Sequence, residues 1–358
     1  MPSTLKSMLD WFDSLLANRV FMMRLHALLA ASLLVWTLLT YTISPISAEP
    51  IVSSTRLLIE TLFVILCIHR LPVVWFERLK VLIITIASIN SIIVILQLLE
   101  TTQCISTNLN WLITDFWQLP VNEWTRKTGF FNGVLTSSLF SFFALALLAR
   151  ERNLKATLLM GLIAIPILFG ARIFLLFLIP LLLIYWRSLL TVAALLLTLA
   201  ALTPGCNFKA MLYNHYIHRI IPALSVVSKT DLSQDYSSKA LASYYVFPET
   251  AKEWLFGNGY SRYAPQGGND PAVMRWLRQS GLPALALVMA ISGLICLQLL
   301  RTRNWGHALF AFALGLSVLK AELITATLLY SLLLLYSLSL TSRLDHRASE
   351  TLSQPRAR

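Results

Sequence analysis

The sequence predicts an all-α polytopic membrane protein with about ten transmembrane helices and one large hydrophilic loop. Three observations predict it. Of 358 residues, 57% are hydrophobic and only 13% charged, whereas soluble domains carry roughly a quarter charged residues. Apolar runs recur at lengths near the roughly 20 residues that a helix needs to cross a hydrocarbon core about 30 Å thick. Basic residues gather just beyond the ends of those runs, where they set helix orientation. That placement argues against nucleic acid as a partner, despite the formal net charge of +12.

Taken in order, the predicted spans are 24–44, 53–69, 81–99, 131–149, 156–170, 173–186, 189–203, 281–300, 305–319 and 323–341. The first reads as a retained span, because its apolar run starts only near His26, behind the polar Trp-Phe-Asp-Ser, and no cleavable-signal pattern precedes it. The stretch 158–186 is nearly unbroken, interrupted by Pro166, Gly170-Ala171-Arg172 and Pro180. One helix of that length would run about 43 Å at 1.5 Å per residue. A hairpin at Arg172 instead gives two short spans. It also keeps Arg301, Arg303 and the tail arginines on the side of Arg70, Arg78, Lys80, Arg150 and Arg152, as the positive-inside rule asks. Both termini are then expected in the cytoplasm.

This arrangement divides the chain into an N-terminal bundle of about seven helices over 1–203, a large outer loop over 204–280, C-terminal membrane helices over 281–341, and a polar tail over 342–358. Within the first part, segment 100–130 carries Trp111, Trp117 and Trp124 and is expected along the interface. The outer loop holds eight Lys/Arg and five Asp/Glu. Its stretch 236–256 reads as helical, and it closes with the glycine-rich GNGYSRYAPQGGND. Of the four cysteines, Cys67 and Cys296 fall inside apolar runs and read as packed thiols. Cys104 and Cys206 follow spans that exit on one side, which leaves a disulfide open.

Five cations have no role in orientation: Arg56, Arg126, Lys127, Arg172 and Lys320 each sit at the outer end of a span or in a short connection there. One reading makes them converge on an anion at the outer boundary, since a guanidinium offers phosphate paired, charge-assisted hydrogen bonds. The other has each reach lipid headgroups or pair with Glu49, Glu60, Glu100 or Glu322. Arg172 favours the first reading, because it lies at a tight turn between two apolar helices, where charge is costly without a partner.

Gly257, Gly259, Gly267 and Gly268 permit positive φ and could form an anion-binding nest or an ordinary turn. No strand and helix bracket them, so Rossmann and P-loop readings fail. His215 and His218 stand three apart with no further ligand to complete a tetrahedral set. No GxSxG elbow occurs. The loop carboxylates Asp231, Asp235, Glu249, Glu253 and Asp270 are the available general bases, and Asp270-Pro271 equally fits a helix N-cap.

RKTGFFNGVLTSSLF opens a helix at 126–140, FGARIFLLFLIPLLL follows at 169–183, and LFGNGYSRYAPQGGNDPAVMRWLRQSGLPALALVM closes the long loop at 255–289. This order resembles the O-antigen polymerase and ligase superfamily of the bacterial envelope, Wzy-like proteins and their relatives. The matching positions are Arg126, Gly129, Phe130, Arg172, Gly257, Gly259, Asp270 and Gly281, and Lys239 stands where the family often has an arginine. The resemblance covers roughly residues 120–300.

It implies a GT-C-like glycosyltransferase of the bacterial cytoplasmic (inner) membrane with a periplasmic loop. Such an enzyme polymerises undecaprenyl-diphosphate-linked oligosaccharide repeats without a cofactor or metal, in contact with membrane lipid and with a chain-length regulator as an open partner. The implied catalytic residues are Asp270, Glu249 and Arg172. Pyrophosphate would be held by Arg126, Arg172, Lys239 and Arg262 with Gly257 and Gly259, and sugar rings would stack on Trp254, Tyr260 or Tyr263. Two alternatives stand beside it: a ligase moving polymer onto lipid A core or protein, and a transporter or flippase of an anionic lipid or solute.

Overall fold

The computed structural model describes residues 18–44, 47–70, 74–101, 134–149, 153–169, 175–202, 247–258, 272–302, 304–320 and 329–340, with Ser14 and Glu151 as isolated positions. The helices are α1 (Arg19–Ile43), α2 (Glu49–Arg70), α3 (Val74–Thr101), α4 (Val134–Leu148), α5 (Leu154–Leu168), α6 (Leu175–Ile184), α7 (Trp186–Leu202), α8 (Ala251–Phe256), α9 (Ala272–Leu300), α10 (Trp305–Lys320) and α11 (Leu329–Leu340). Among the described residues there is no strand. Four helices are long and apolar enough to cross a membrane: α1, α2, residues Glu77–Glu100 of α3 and Val273–Leu300 of α9.

Each predicted span has a helix at its place, with shifted ends. α3 starts at Val74 rather than 81, and α9 starts at Ala272, so the last turns of the expected outer loop are helical. The nearly unbroken stretch 158–186 is not one helix from end to end. α5 stops at Leu168, just after Pro166, with Phe169 as its C-cap, and α6 begins at Leu175. Gly170, Ala171 and Arg172 lie outside the described residues. The helix expected over 236–256 is corrected at its end, because residues 247–250 are not helical and α8 spans only Ala251–Phe256. Pro248 disfavours helix at the residue before it, and the Thr250 side chain starts the helix by accepting from the Glu253 amide.

Two compact units divide the chain. The first takes residues 1–77, 244–303 and 314–358, and the second takes 78–243 and 304–313. In the first, α1 and α2 form an antiparallel pair. Thr37 Oγ1 and Ser54 Oγ share a hydrogen bond of 2.7 Å near one end, and the Arg19 guanidinium donates to Ile68 O at 2.6 Å near the other. The buried stripe of α1 is Met22, His26, Ala30, Leu33, Thr37 and Thr40, while Leu28, Val35 and Leu38 face outward. α2 repeats this pattern: Pro50, Ser54, Leu57, Thr61, Val64 and Ile68 are buried, and Val52, Ile59, Phe63 and Leu66 are exposed. Small and hydroxylated residues are mixed into both buried stripes while large apolar ones face outward, a pattern that suits helix packing in lipid. α11 joins α2 through Thr61 Oγ1 and Tyr330 OH, 2.9 Å apart.

In the second unit α4 is buried almost all round, with Phe140, Phe142 and Phe143 at its centre. Phe143 stacks on Phe310 of α10 with centroids 5.1 Å apart. Asn90 of α3 donates to Ser137 Oγ at 2.9 Å, and the Ser138 hydroxyl donates to Pro166 O at 3.3 Å. α5 meets α7 at Gly161, where an added Cβ would lie 2.7 Å from Thr191 Cγ2. Lys80 at the start of α3 pairs with Glu151 at the α4–α5 turn. Cys67 and Cys296, both of the first unit, are partly buried and form no disulfide.

Candidate functional site

In the first unit, α8 crosses the start of α9 and polar contacts gather at the crossing. Thr250 caps α8, and the Glu253 carboxylate reaches back to accept the Glu249 amide at 2.9 Å, a variant of the reciprocal capping box. Gly257 ends the helix at φ 69°, ψ −178°, with its N–H on Glu253 O at 2.8 Å. The next amide, Asn258 N–H, donates to Arg278 O at 2.8 Å and fastens the turn to α9.

α9 itself breaks at Gly281, at φ 78°, ψ −179°. Both glycines therefore occupy backbone space essentially closed to other residues. Carbonyls in the turn before such a break lose their helical partners, and Pro283 has no N–H to offer. The surrounding side chains and amides replace them. Arg278 O takes Asn258 N–H, and Ser280 O takes the Trp36 indole N–H at 2.8 Å. Trp36 also stacks on Phe256, with centroids 5.7 Å apart and planes 8° from parallel. From α2, Glu49 Oε2 accepts from the Gln279 amide at 3.1 Å.

Most of the helical segment ending at this break is buried, with Val273 and Arg278 partly exposed. Met274, Trp276, Leu277, Gln279 and Ser280 are inaccessible, and Arg275 is only 7% exposed. A helical segment this deeply buried is normally apolar; this one carries a guanidinium, an amide, a hydroxyl and an indole. Trp276 Nε1 and Ser280 Oγ lie one turn apart, both buried and both without a hydrogen-bond partner. Two unpaired donors and a guanidinium withdrawn from water thus share this one short segment, and such groups favour oxyanions or hydroxyls as partners.

Of the residues singled out from the sequence, Gly257 and Gly281 are brought together here. Glu249 stands at the start of α8 and is exposed, and Trp254 is partly exposed and stacks on Phe247. The amides of Gly257 and Asn258 are both taken by protein carbonyls, so Gly257 serves the close approach of two backbones and not an anion nest. Arg126, Gly129, Phe130, Arg172, Lys239, Gly259, Tyr260, Arg262, Tyr263 and Asp270 lie outside the described residues, as do Cys104 and Cys206. Arg56 follows the pairing alternative. Its Nε lies 3.1 Å from Glu60 Oε1 one turn on, and Glu60 also accepts from Ser331.

Sequence reasoning missed Arg275, Gln279, Trp36 and Glu49 as one constellation. Arg275 and Arg278 counted only as two charges of a long loop. The available signal was their spacing of three, directly before Gly281 and Pro283, which puts cations in the last turns before a helix break. Among the described residues no group of three or more His, Cys, Asp or Glu side chains could hold a metal ion. No protein-family model matches the chain, and neither a curated protein nor a solved structure matches it.

Proposed function

We propose that this protein is a membrane glycosyltransferase that polymerises undecaprenyl-diphosphate-linked oligosaccharide repeats into surface polysaccharide at the periplasmic face. The observation that carries the reading is the buried Arg275 segment, with its orphan indole and hydroxyl donors, at the junction where the hydrophilic stretch 204–280 meets the apolar part of α9. A lipid diphosphate keeps its anion at the membrane boundary, and a transfer that expels it is eased by cations waiting where charge develops.

In this reading the acceptor sugar hydroxyl attacks the anomeric carbon and the bond to the diphosphate oxygen breaks. The anion leaves to Arg126 and Arg172, assisted by Lys239 and Arg262. Asp270, or Glu249, takes the hydroxyl proton. Gly257, with Gly259 beyond it, shapes the turn, while Trp254, Tyr260 and Tyr263 offer faces for sugar rings. Transfer of finished polymer onto lipid A core or protein uses the same geometry with another acceptor.

The test is a polysaccharide ladder from a strain lacking the protein, complemented with the wild type or with Arg172→Ala. Loss should leave single repeats on the lipid carrier. Long carrier-linked chains would instead indicate a ligase. Full-length polymer from Arg172→Ala would refute the role given to that arginine.

A transporter reading has one observation in its favour, the Arg56–Glu60 ion pair within α2, since ionisable groups inside spans often line pathways. Chain extension by the purified protein, reconstituted with lipid-linked repeat and no gradient, would exclude pure transport.

A further inference from the structure

One end of the second unit carries cationic and aromatic surface that the proposed chemistry does not use. It is assembled around Ala149, just past the end of α4. The Tyr185 hydroxyl, in the α6–α7 turn, donates to Ala149 O. From the start of α10, an added Cβ on Gly306 would lie 2.6 Å from Ala149 Cβ. The residues next in sequence to these two contacts are Trp186 and Trp305, which are 57% and 73% exposed. Two indoles this open suit a bilayer boundary, where the ring meets lipid chains and the N–H meets headgroups.

α5 and α7 leave this end side by side. Ser188 Oγ donates to Met160 Sδ at 3.7 Å, and an added Cβ on Gly161 would lie 2.7 Å from Thr191 Cγ2. Lys155 and Arg187 are each the second residue of their helix. Counted back from the Gly161–Thr191 contact at 1.5 Å per residue, they lie about 9 Å and about 6 Å along the two axes, close to one level. Both are exposed, and among the described residues neither forms an ion pair. Glu151, in the α4–α5 turn, is committed to Lys80 at 2.5 Å. Neither helix has an acidic residue in its first turn, where the helix dipole favours negative charge over positive.

The Arg187 guanidinium lies 5.7 Å from the centre of the Trp186 ring, which joins charge to indole. One turn further along each helix, on the same face as the cation, stand Leu158 and Leu190, each more than half exposed. Charge at the helix end followed by open leucine is the profile of a phospholipid, headgroup first and chains beyond.

We propose that Lys155, Arg187, Trp186 and Trp305 form a docking surface for an anionic phospholipid. Its phosphate meets the two cations and its acyl chains run along Leu158 and Leu190. Two positive charges without a protein counter-ion favour a headgroup of net negative charge over a zwitterionic one. The surface uses no residue of the glycosyltransferase reading and holds or fails independently of it.

The full-length protein in detergent should be offered equal amounts of phosphatidylglycerol and phosphatidylcholine with the same chains, and the retained lipid read by native mass spectrometry. Phosphatidylglycerol is expected to be retained about tenfold over phosphatidylcholine. Lys155→Gln with Arg187→Gln should bring that ratio close to one without lowering the melting temperature in lipid-free detergent. The charge-keeping pair Lys155→Arg with Arg187→Lys should preserve it. Arg24→Gln with Arg70→Gln, which removes two exposed cations from the first unit, should also leave the ratio as in wild type. Equal retention of the two lipids by the wild type would overturn the proposal. So would an unchanged preference in the Lys155/Arg187 glutamine variant, or the same loss in the Arg24/Arg70 variant.

Discussion

Gly257 and Gly281 each leave open a space that backbone just before the other glycine occupies. A Cβ on Gly257 would sit 2.6–2.7 Å from the backbone of residues 278–280, and a Cβ on Gly281 would sit 2.1 Å from Leu255 O. The crossing of α8 over α9 thus depends on two glycines far apart in sequence, both at positive φ.

Alanine at either position is expected to strain the backbone by about 1–3 kcal/mol, with a further cost from the overlap. Gly281→Ala should be the worse, because its Cβ would meet a carbonyl oxygen at the shorter distance. Thermal unfolding of the purified protein in one detergent checks the order. Equal melting temperatures for wild type and Gly281→Ala would show that the crossing does not hold as described.

Trp36 has two separable jobs: its indole N–H satisfies Ser280 O and its ring covers Phe256. Trp36→Phe keeps a ring and leaves the carbonyl unpaired, at an expected cost of about 1–3 kcal/mol. Trp36→Leu loses both and should destabilise further. Hydrogen exchange at the amides of 279–285 should rise in both variants; protection equal to wild type would argue against the indole bond.

The Arg56–Glu60 pair is half in reach of the surroundings on the arginine side and mostly covered on the glutamate side, with side-chain exposures of 44% and 14%. Removing the arginine alone leaves a carboxylate with only Ser331 as a described partner. Arg56→Leu is therefore expected to destabilise by about 1–2 kcal/mol, discounted from the cost of opening a fully buried pair. Arg56→Leu with Glu60→Leu should recover most of that loss, and a double-mutant cycle measures the coupling. Additive effects would mean the pair contributes nothing as a pair.

Composition and hydropathy made the helices readable from the sequence, because burial in lipid needs only length and apolarity, and both are local. Register was not readable in this way. The stripe Met22, His26, Ala30, Leu33, Thr37 is mixed in size and polarity, and the outward Leu28, Val35 and Leu38 are the more hydrophobic. The usual equation of apolar with buried therefore points to the wrong face of α1. The end of the expected helix over 236–256 failed because Pro248 and the Thr250 cap reset its start. The Trp36–Ser280 and Glu49–Gln279 bonds join residues more than two hundred positions apart, and nothing local in either segment announces them.

Arg275 offers the sharpest separation of a working site from a merely well-packed one. Its charge is 7% exposed on a segment whose neighbours Trp276 and Ser280 hold unused donors. Arg275→Lys retains charge and loses the planar fork, while Arg275→Met retains much of the length and loses the charge. If the guanidinium meets a diphosphate, both variants should stay folded in the membrane and both should cut polymer length. The lysine variant should retain more activity than the methionine variant, and its KM for lipid-linked repeat should rise more than its kcat falls. If Arg275 only packs, Arg275→Met should polymerise normally and melt no lower than wild type, since replacing a buried charge by an apolar chain of similar size is often neutral or stabilising.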